Sequence, residues 1–233
     1  INNGHHVIKF KSQDISTKDL AHYIANDFMV ILGNHLALSQ QHKNIIIAAT
    51  ANPDSNFRYL IYEHDHKYLS SRAPSVYEGF LAPDDSHIVG KELYEQASAV
   101  LCQSKIHQDV LIKNLPSVRA VNLGCSVWDE SFIKTAKELV IDKSLDTAII
   151  RSNNPTKNQI QAEQYCKQNN INYDLISAGS PEELLKILSR YKQYVFFPKV
   201  LETFCRVVVE AKLAGCKIIT NPKLLGVASE EWF

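Results

Sequence analysis

Near the end of the chain, "PKVLETFCRVVVEAKLAGCKII" sets Glu202 and Glu210 with seven residues between them, on either side of a Val-rich helix start. A helix beginning at about Thr203 or Phe204 would put Val207, Val208, Ala211, Ala214 and Gly215 on one packed face. Glu210 then falls at the edge of that face and Glu202 on the loop before it. Carboxylates in these places can accept hydrogen bonds from vicinal hydroxyls, as ribose or a hexose offers. The first-turn N–H groups near Phe204 and Cys205 can meet phosphate oxygens. A helix-terminal charge plus an ordinary surface glutamate accounts for the same residues without a ligand.

A second constellation is "IIRSNNPTKN", where Arg151 and Lys157 flank a turn into a helix. Two cations beside exposed backbone N–H groups suit a diphosphate. A solvated lysine and a capping turn explain the pattern equally well. In "FRYLIYEHDH", His64 and His66 share a face if the strand continues, and His35 ends another strand nearby. Zinc would want three or four converging ligands, and no His/Cys/Asp spacing elsewhere supplies them. The expectation is no metal site.

The elements that must carry these residues alternate. In the second half, strands over 145–152, 171–177, "YVFFP" and "CKIIT" are separated by helices. Ser180, Pro181 and Glu183 give one helix its N-cap, first position and capping-box partner, followed by Leu184, Leu185, Leu188 and Tyr191 at helical spacing. That order predicts a parallel sheet covered by helices. In the first half "HHVIKF", "FMVILG", "FRYLIYEHD", "SAVLC" and "VRAVNLG" read as strands, with helices near 17–25, 89–97 and 104–114. "NIIIAATA" is open: its β-branched run favours a strand, and its place between strands allows a buried helix. Residues 70–86 read as an irregular loop. The pattern pauses around 125–144, which places the boundary between two α/β domains, 1–128 and 129–233. Two such domains form a cleft, and ligands sit beyond the carboxyl ends of parallel strands.

The chain has 233 residues, 45% hydrophobic and 21% charged, with zero formal net charge. That balance, without a Lys/Arg cluster, gives no nucleic-acid footprint. No apolar run reaches the length of a membrane span, and no signal peptide opens the sequence. Five cysteines (102, 125, 166, 205 and 216) without a C-x-x-C pair read as reduced thiols of a cytoplasmic protein. Met29 is the only methionine and residue 1 is Ile, so the expectation is that the natural N-terminus lies upstream.

The run from Pro198 to Asn221 resembles the glutamate–seven–glutamate region of retaining glycosyltransferases with the GT-B fold, the family of glycogen synthases and many bacterial sugar transferases. Pro198, Glu202, Phe204, Glu210, Ala211, Ala214 and Gly215 match in order. "AIIRSNNPTKN" resembles the family's Arg/Lys turn, one residue longer and without its preceding glycine. "FRYLIYEHDH" is similar to the strand that ends in a histidine beside the transferred sugar, and residues 97–132 to the segment closing the first domain. Thr203 and Cys205 stand where the family has glycines.

The resemblance implies two Rossmann-like domains facing a cleft, both truncated at their outer ends. It implies transfer of a sugar, with retention, from a nucleotide-sugar donor to a glycan or lipid acceptor, as in polysaccharide biosynthesis, without a metal or other cofactor. His64 and Glu202 would act at the sugar; Arg151, Lys157, Phe204, Cys205 and Glu210 would hold the donor, with Glu210 on its ribose. His35 and His66 are expected on the acceptor side. A cytoplasmic enzyme touching the membrane at its periphery fits a lipid acceptor. The alternatives are a non-catalytic nucleotide-sugar binding or assembly module of the same fold and a sugar-nucleotide epimerase.

Overall fold

The computed structural model describes residues 7–26 and 28–233. In the first half, α1 (Thr17–Ala25), β1 (Val30–Leu32), α2 (Gln40–Ala51), β2 (Tyr59–Tyr62), α3 (Lys91–Glu95), β3 (Ala99–Cys102), α4 (Lys105–Asn114) and β4 (Ala120–Asn122) follow one another. The strands make a parallel four-stranded sheet in the order β1-β2-β3-β4. The second half contains α5 (Glu130–Lys137), β5 (Leu145–Ile150), α6 (Gln159–Gln168), β6 (Tyr173–Ile176), α7 (Pro181–Leu188), β7 (Tyr191–Phe196), α8 (Arg206–Leu213) and β8 (Lys217–Thr220). Its parallel sheet runs β6-β5-β7-β8, so the strand order reverses between β5 and β7. These are two Rossmann-like units facing a cleft, the GT-B arrangement.

Serines start several of the helices. Ser16, Ser39, Ser104 and Ser180 each accept a backbone N–H in the first turn of α1, α2, α4 and α7. Each cap satisfies a donor that the helix leaves orphaned, worth about 0.5–2 kcal/mol. Ser39 settles the open segment: it starts α2, and "NIIIAATA" is helix with only Ile46 fully buried. Of the expected "HHVIKF" strand, His5 and His6 lie outside the described residues, and 7–10 form no strand. Residues 70–86 are a chain of short 3-10 turns.

The second core is apolar, built from residues such as Ala148, Leu185, Leu188, Tyr194, Phe204 and Val208. The first surrounds Tyr59, Ile61, Val100 and Leu111 but also buries Glu63, His66, Lys67 and His107. All five cysteines are free thiols, and only Cys125 is exposed. No helix among the described residues is long and apolar enough to cross a membrane.

The two units touch through polar contacts. The Ser104 hydroxyl donates to the Thr203 carbonyl (2.7 Å), and the Thr203 hydroxyl lies 2.9 Å from both the His64 carbonyl and Gln103 Oε1. Residues 226–233 reach back to α4: Lys105 N–H donates to Glu230 Oε1 and Ile106 N–H to Ser229 Oγ. Trp232 Nε1 donates to the Gly124 carbonyl.

Candidate functional site

A cavity of about 700 Å³ opens beyond the carboxyl ends of β5 and β7, at the point where the strand order reverses. Open parallel sheets bind ligands there, because neighbouring crossovers leave to opposite faces and part the loops. Ile149, Ile150, Val195 and Phe196 give it an apolar floor, joined by Leu184 and Val207. Tyr62, His64, Asp65 and Gln103 supply the opposite wall from the first unit. Lys157, Glu202, Thr203 and Arg206 stand between.

Two backbone specialities shape the second-unit side. Asn158 (φ 53°) turns the chain directly after Lys157, and Cys205 (φ 74°) turns it directly before α8. An L-residue strains in this left-handed region, and asparagine tolerates it better than cysteine. The helix therefore starts at Arg206, later than the expected Thr203 or Phe204. Cys205 holds the conformation a glycine would adopt freely, where the resembling family has one. Its thiol is buried, and burial pushes it up to about 12. Gly226 packs beneath: its N–H donates to the Glu202 carbonyl, and a Cβ there would overlap the Thr203 carbonyl.

Lys157 Nζ and Glu202 Oε1 form an ion pair at 2.8 Å. Burial pulls the Lys157 ammonium down, but the Glu202 carboxylate outweighs it and the net shift is upward. Across the cavity, His64 Nε2 lies 2.9 Å from the Gly33 carbonyl, which can only accept, so that nitrogen carries a proton. His64 Nδ1 is 3.3 Å from Asp65 Oδ2. Asp65 also accepts from Arg72 Nη2 at 2.8 Å. Burial would raise its carboxyl, but His64, Lys67 and Arg72 bring it down to about 2.

Behind this wall Glu63 organises the turn. Its Oε1 accepts the backbone N–H groups of His64, Asp65 and Lys67 at 3.0–3.1 Å. Its Oε2 takes the Tyr94 hydroxyl, which His35 Nε2 approaches at 2.8 Å. Burial alone would raise the Glu63 carboxyl; Lys67, Tyr94 and the backbone donors lower it instead. Lys67 Nζ, itself buried, sits 3.7 Å from Glu63 and 3.8 Å from Asp65.

Of the residues singled out from sequence, His64, Lys157, Glu202, Phe204 and Cys205 line the cavity together. Four others stand apart from it. His35 and His66 are buried inside the first unit, 2% and 1% exposed, and do not line the cavity. The strand ends at Tyr62, so His66 is not on its face; it turns inward at φ 51° against Tyr68 and His107. Arg151 opens into a neighbouring depression with Lys199, joined to the main cavity only through Ser152 and Gln159. Glu210 is 4% exposed and does not line the cavity: Trp128 Nε1 donates to its Oε1 at 2.9 Å, and Arg206 sits over it. Burial pushes the Glu210 carboxyl upward against both partners.

Asp65, Gln103 and Arg206 are the site residues that sequence reading missed. Asp65 stood beside a singled-out histidine, and Arg206 between the two glutamates, so adjacency was their only signal. Gln103 had none. Among the described residues no group of three or more His, Cys, Asp or Glu is arranged to hold a metal ion.

No protein-family profile and no curated protein matches the sequence. Solved structures do resemble the fold. An alpha-glucosyltransferase in complex with UDP and a 13-mer DNA containing a central A:G mismatch aligns at 13% identity and TM-score 0.50, over 91% of this chain and 68% of its own. Anabaena HepE in complex with UDP and glucose aligns at 15% identity and TM-score 0.45, over 86% of this chain. This chain spans 62% of the length of HepE. At this identity the likeness is one of fold: the chain shares the two-unit α/β architecture of the UDP-bound alpha-glucosyltransferase.

Proposed function

We propose that the protein binds a nucleotide sugar in the cavity between its two units and transfers the sugar, with retention, to a glycan or lipid hydroxyl. The observation that carries this reading is the pairing across one cavity of Lys157 and Glu202 with His64 and Asp65, above an apolar floor at the switch point. The floor suits a flat base, and the carboxylates of Glu202 and Asp65 suit sugar hydroxyls, which donate to them. Transfer breaks the bond between the anomeric carbon and the diphosphate oxygen and forms one to the acceptor oxygen, whose proton must leave. Charge grows on the diphosphate as that bond lengthens. Lys157 and the N–H groups opening α8 face that region, and such fixed dipoles stabilise charge without reorganising. His64, held by the Gly33 carbonyl and Asp65, stands at the sugar end.

One observation favours binding without transfer: His64 Nε2 is already spent on the Gly33 carbonyl, a partner within the first unit. A thermal-shift panel of UDP-, ADP- and GDP-linked hexoses tests binding, because a ligand of the native state raises the midpoint by mass action. The expected result is a shift of several degrees with one nucleotide and none with the free hexose. Nuclear magnetic resonance of the product with that donor then reads the anomeric configuration. No shift with any donor removes the reading; a shift without hydrolysis or transfer leaves the binding module.

A further inference from the structure

Arg206 is the first residue of α8, lines the cavity and is 44% exposed. Its Nε lies 3.7 Å from Glu210 Oε1, too far for a hydrogen bond, and that oxygen already accepts from Trp128. Its guanidinium carbon rests 5.3 Å from the Trp128 ring. Among the described residues the guanidinium makes no hydrogen bond, so a planar fork of five donors faces the cavity without an acceptor. Lys157, in contrast, is held at 2.8 Å by Glu202. Arg151 opens on the neighbouring depression. A guanidinium fork matches two phosphate oxygens at once, which an ammonium cannot do.

We propose that Arg206, rather than Arg151, is the arginine that grips the diphosphate, and that gripping it draws the side chain off Trp128 and Glu210. The assignment rests on the sugar-nucleotide reading above. It also gives the buried Glu210 a way into the site: with Arg206 withdrawn, the carboxylate keeps only the Trp128 N–H and is uncovered. The cation then acts as both diphosphate ligand and cover for the second glutamate.

The test is calorimetry on the full 233-residue chain with UDP, ADP and GDP and with the matching nucleosides, folding being checked by circular dichroism. For the diphosphate that binds wild type, Arg206→Ala and Arg206→Gln are expected to weaken binding about tenfold or more, the loss of one charge-assisted contact. The nucleoside should change less than twofold, and so should the diphosphate with Arg151→Ala. Arg206→Lys should fall between. In a Trp232→Phe background Trp128 is the sole indole; the diphosphate should change its emission, the nucleoside should not, and Arg206→Gln should abolish the difference. If no diphosphate binds wild type, the sugar-nucleotide reading itself fails. If one binds, and Arg206→Gln leaves it unchanged or Arg151→Ala weakens it more, the Arg206 assignment alone is overturned.

Discussion

Around β2 and β3 the first unit buries Glu63, Lys67, His66 and His107, with His35, Tyr68 and Tyr94 packed beside them. Around β5 and β7 the second unit buries Ala148, Ile149, Tyr194 and Val195; Glu210 on α8 is its one buried carboxylate among the described residues, while Lys157 and Glu202 stand beyond the strand ends. The contrast separates two ways of aiming a side chain. In the second unit an ordinary apolar core fixes the sheet, and Lys157 and Glu202 extend from loops at its rim. In the first, a buried carboxylate gathers the backbone of residues 64–67, and His64 and Asp65 point where that knot sends them. Buried polar networks of this kind are stiff when fully satisfied and costly when opened.

Among single substitutions, the largest effect expected from this difference comes from cutting the knot. Glu63→Ala strands three backbone donors in the first core, and leaves the Tyr94 hydroxyl with only His35 and the buried Lys67 ammonium with only Asp65, 3.8 Å away. Removing one partner of a buried ion pair costs about 3–5 kcal/mol. Urea unfolding should show that loss, and hydrogen exchange should place it on β2 and β3 and not on β5 and β7. Equal deprotection of both sheets would mean that the units do not differ in this way.

Acid should separate the units next. Burial holds His35 near 4 and His107 near 3, and depresses His66 as well. Each stays neutral when folded but titrates near 6.5 when unfolded, so its contribution is complete above 6.5 and is lost as pH falls toward the folded value. Asp65 and Glu63, also depressed, act in the same direction at lower pH. Glu210 is shifted upward and works the other way, favouring the second unit as pH falls toward its range. The first sheet should therefore lose about 2 kcal/mol per buried imidazole between pH 7 and 5, measured as local opening by hydrogen exchange corrected for intrinsic rates. A loss confined to the second sheet would reverse the comparison.

The smallest effect lies where the units meet. Thr203→Val removes the hydroxyl that reaches the His64 carbonyl and Gln103 while keeping the shape. The expected cost is about 0.5–1.5 kcal/mol, seen in the unfolding midpoint, with the exchange of β5 and β7 unchanged. A cost above that range would make Thr203 a core residue of both units.

The same contrast decides what could be read from sequence. Ser180-Pro181-x-Glu183 and the leucines after it announced α7, and the helix starts at Pro181 as read. Strands of the second unit were visible as apolar runs because both faces of the sheet are covered. In the first unit the strands are only three or four residues long and β2 leads straight into Glu63-His64-Asp65-His66, a polar run that looks like surface. Nothing in local spacing says that Tyr94, thirty-one residues on, donates its hydroxyl hydrogen to the Glu63 carboxylate. The site followed the same rule. Lys157, Glu202 and His64 stand at strand-end turns, which pattern reading finds. Gln103 reaches the cavity only because the second unit sits across from it, and Glu210 is covered by Trp128, eighty-two residues earlier.

One feature of the interface bears on how the chain is made. The first turn of α4 gives its N–H groups to Ser229 and Glu230, and Glu230 lies 125 residues after Lys105. A ribosome adding about 5–20 residues per second needs roughly 6–25 s to cover that distance. Until then α4 has only Ser104 to cap it, and water must serve its remaining donors. The first unit thus emerges with one helix end unfinished, and residues made more than a hundred positions later close it.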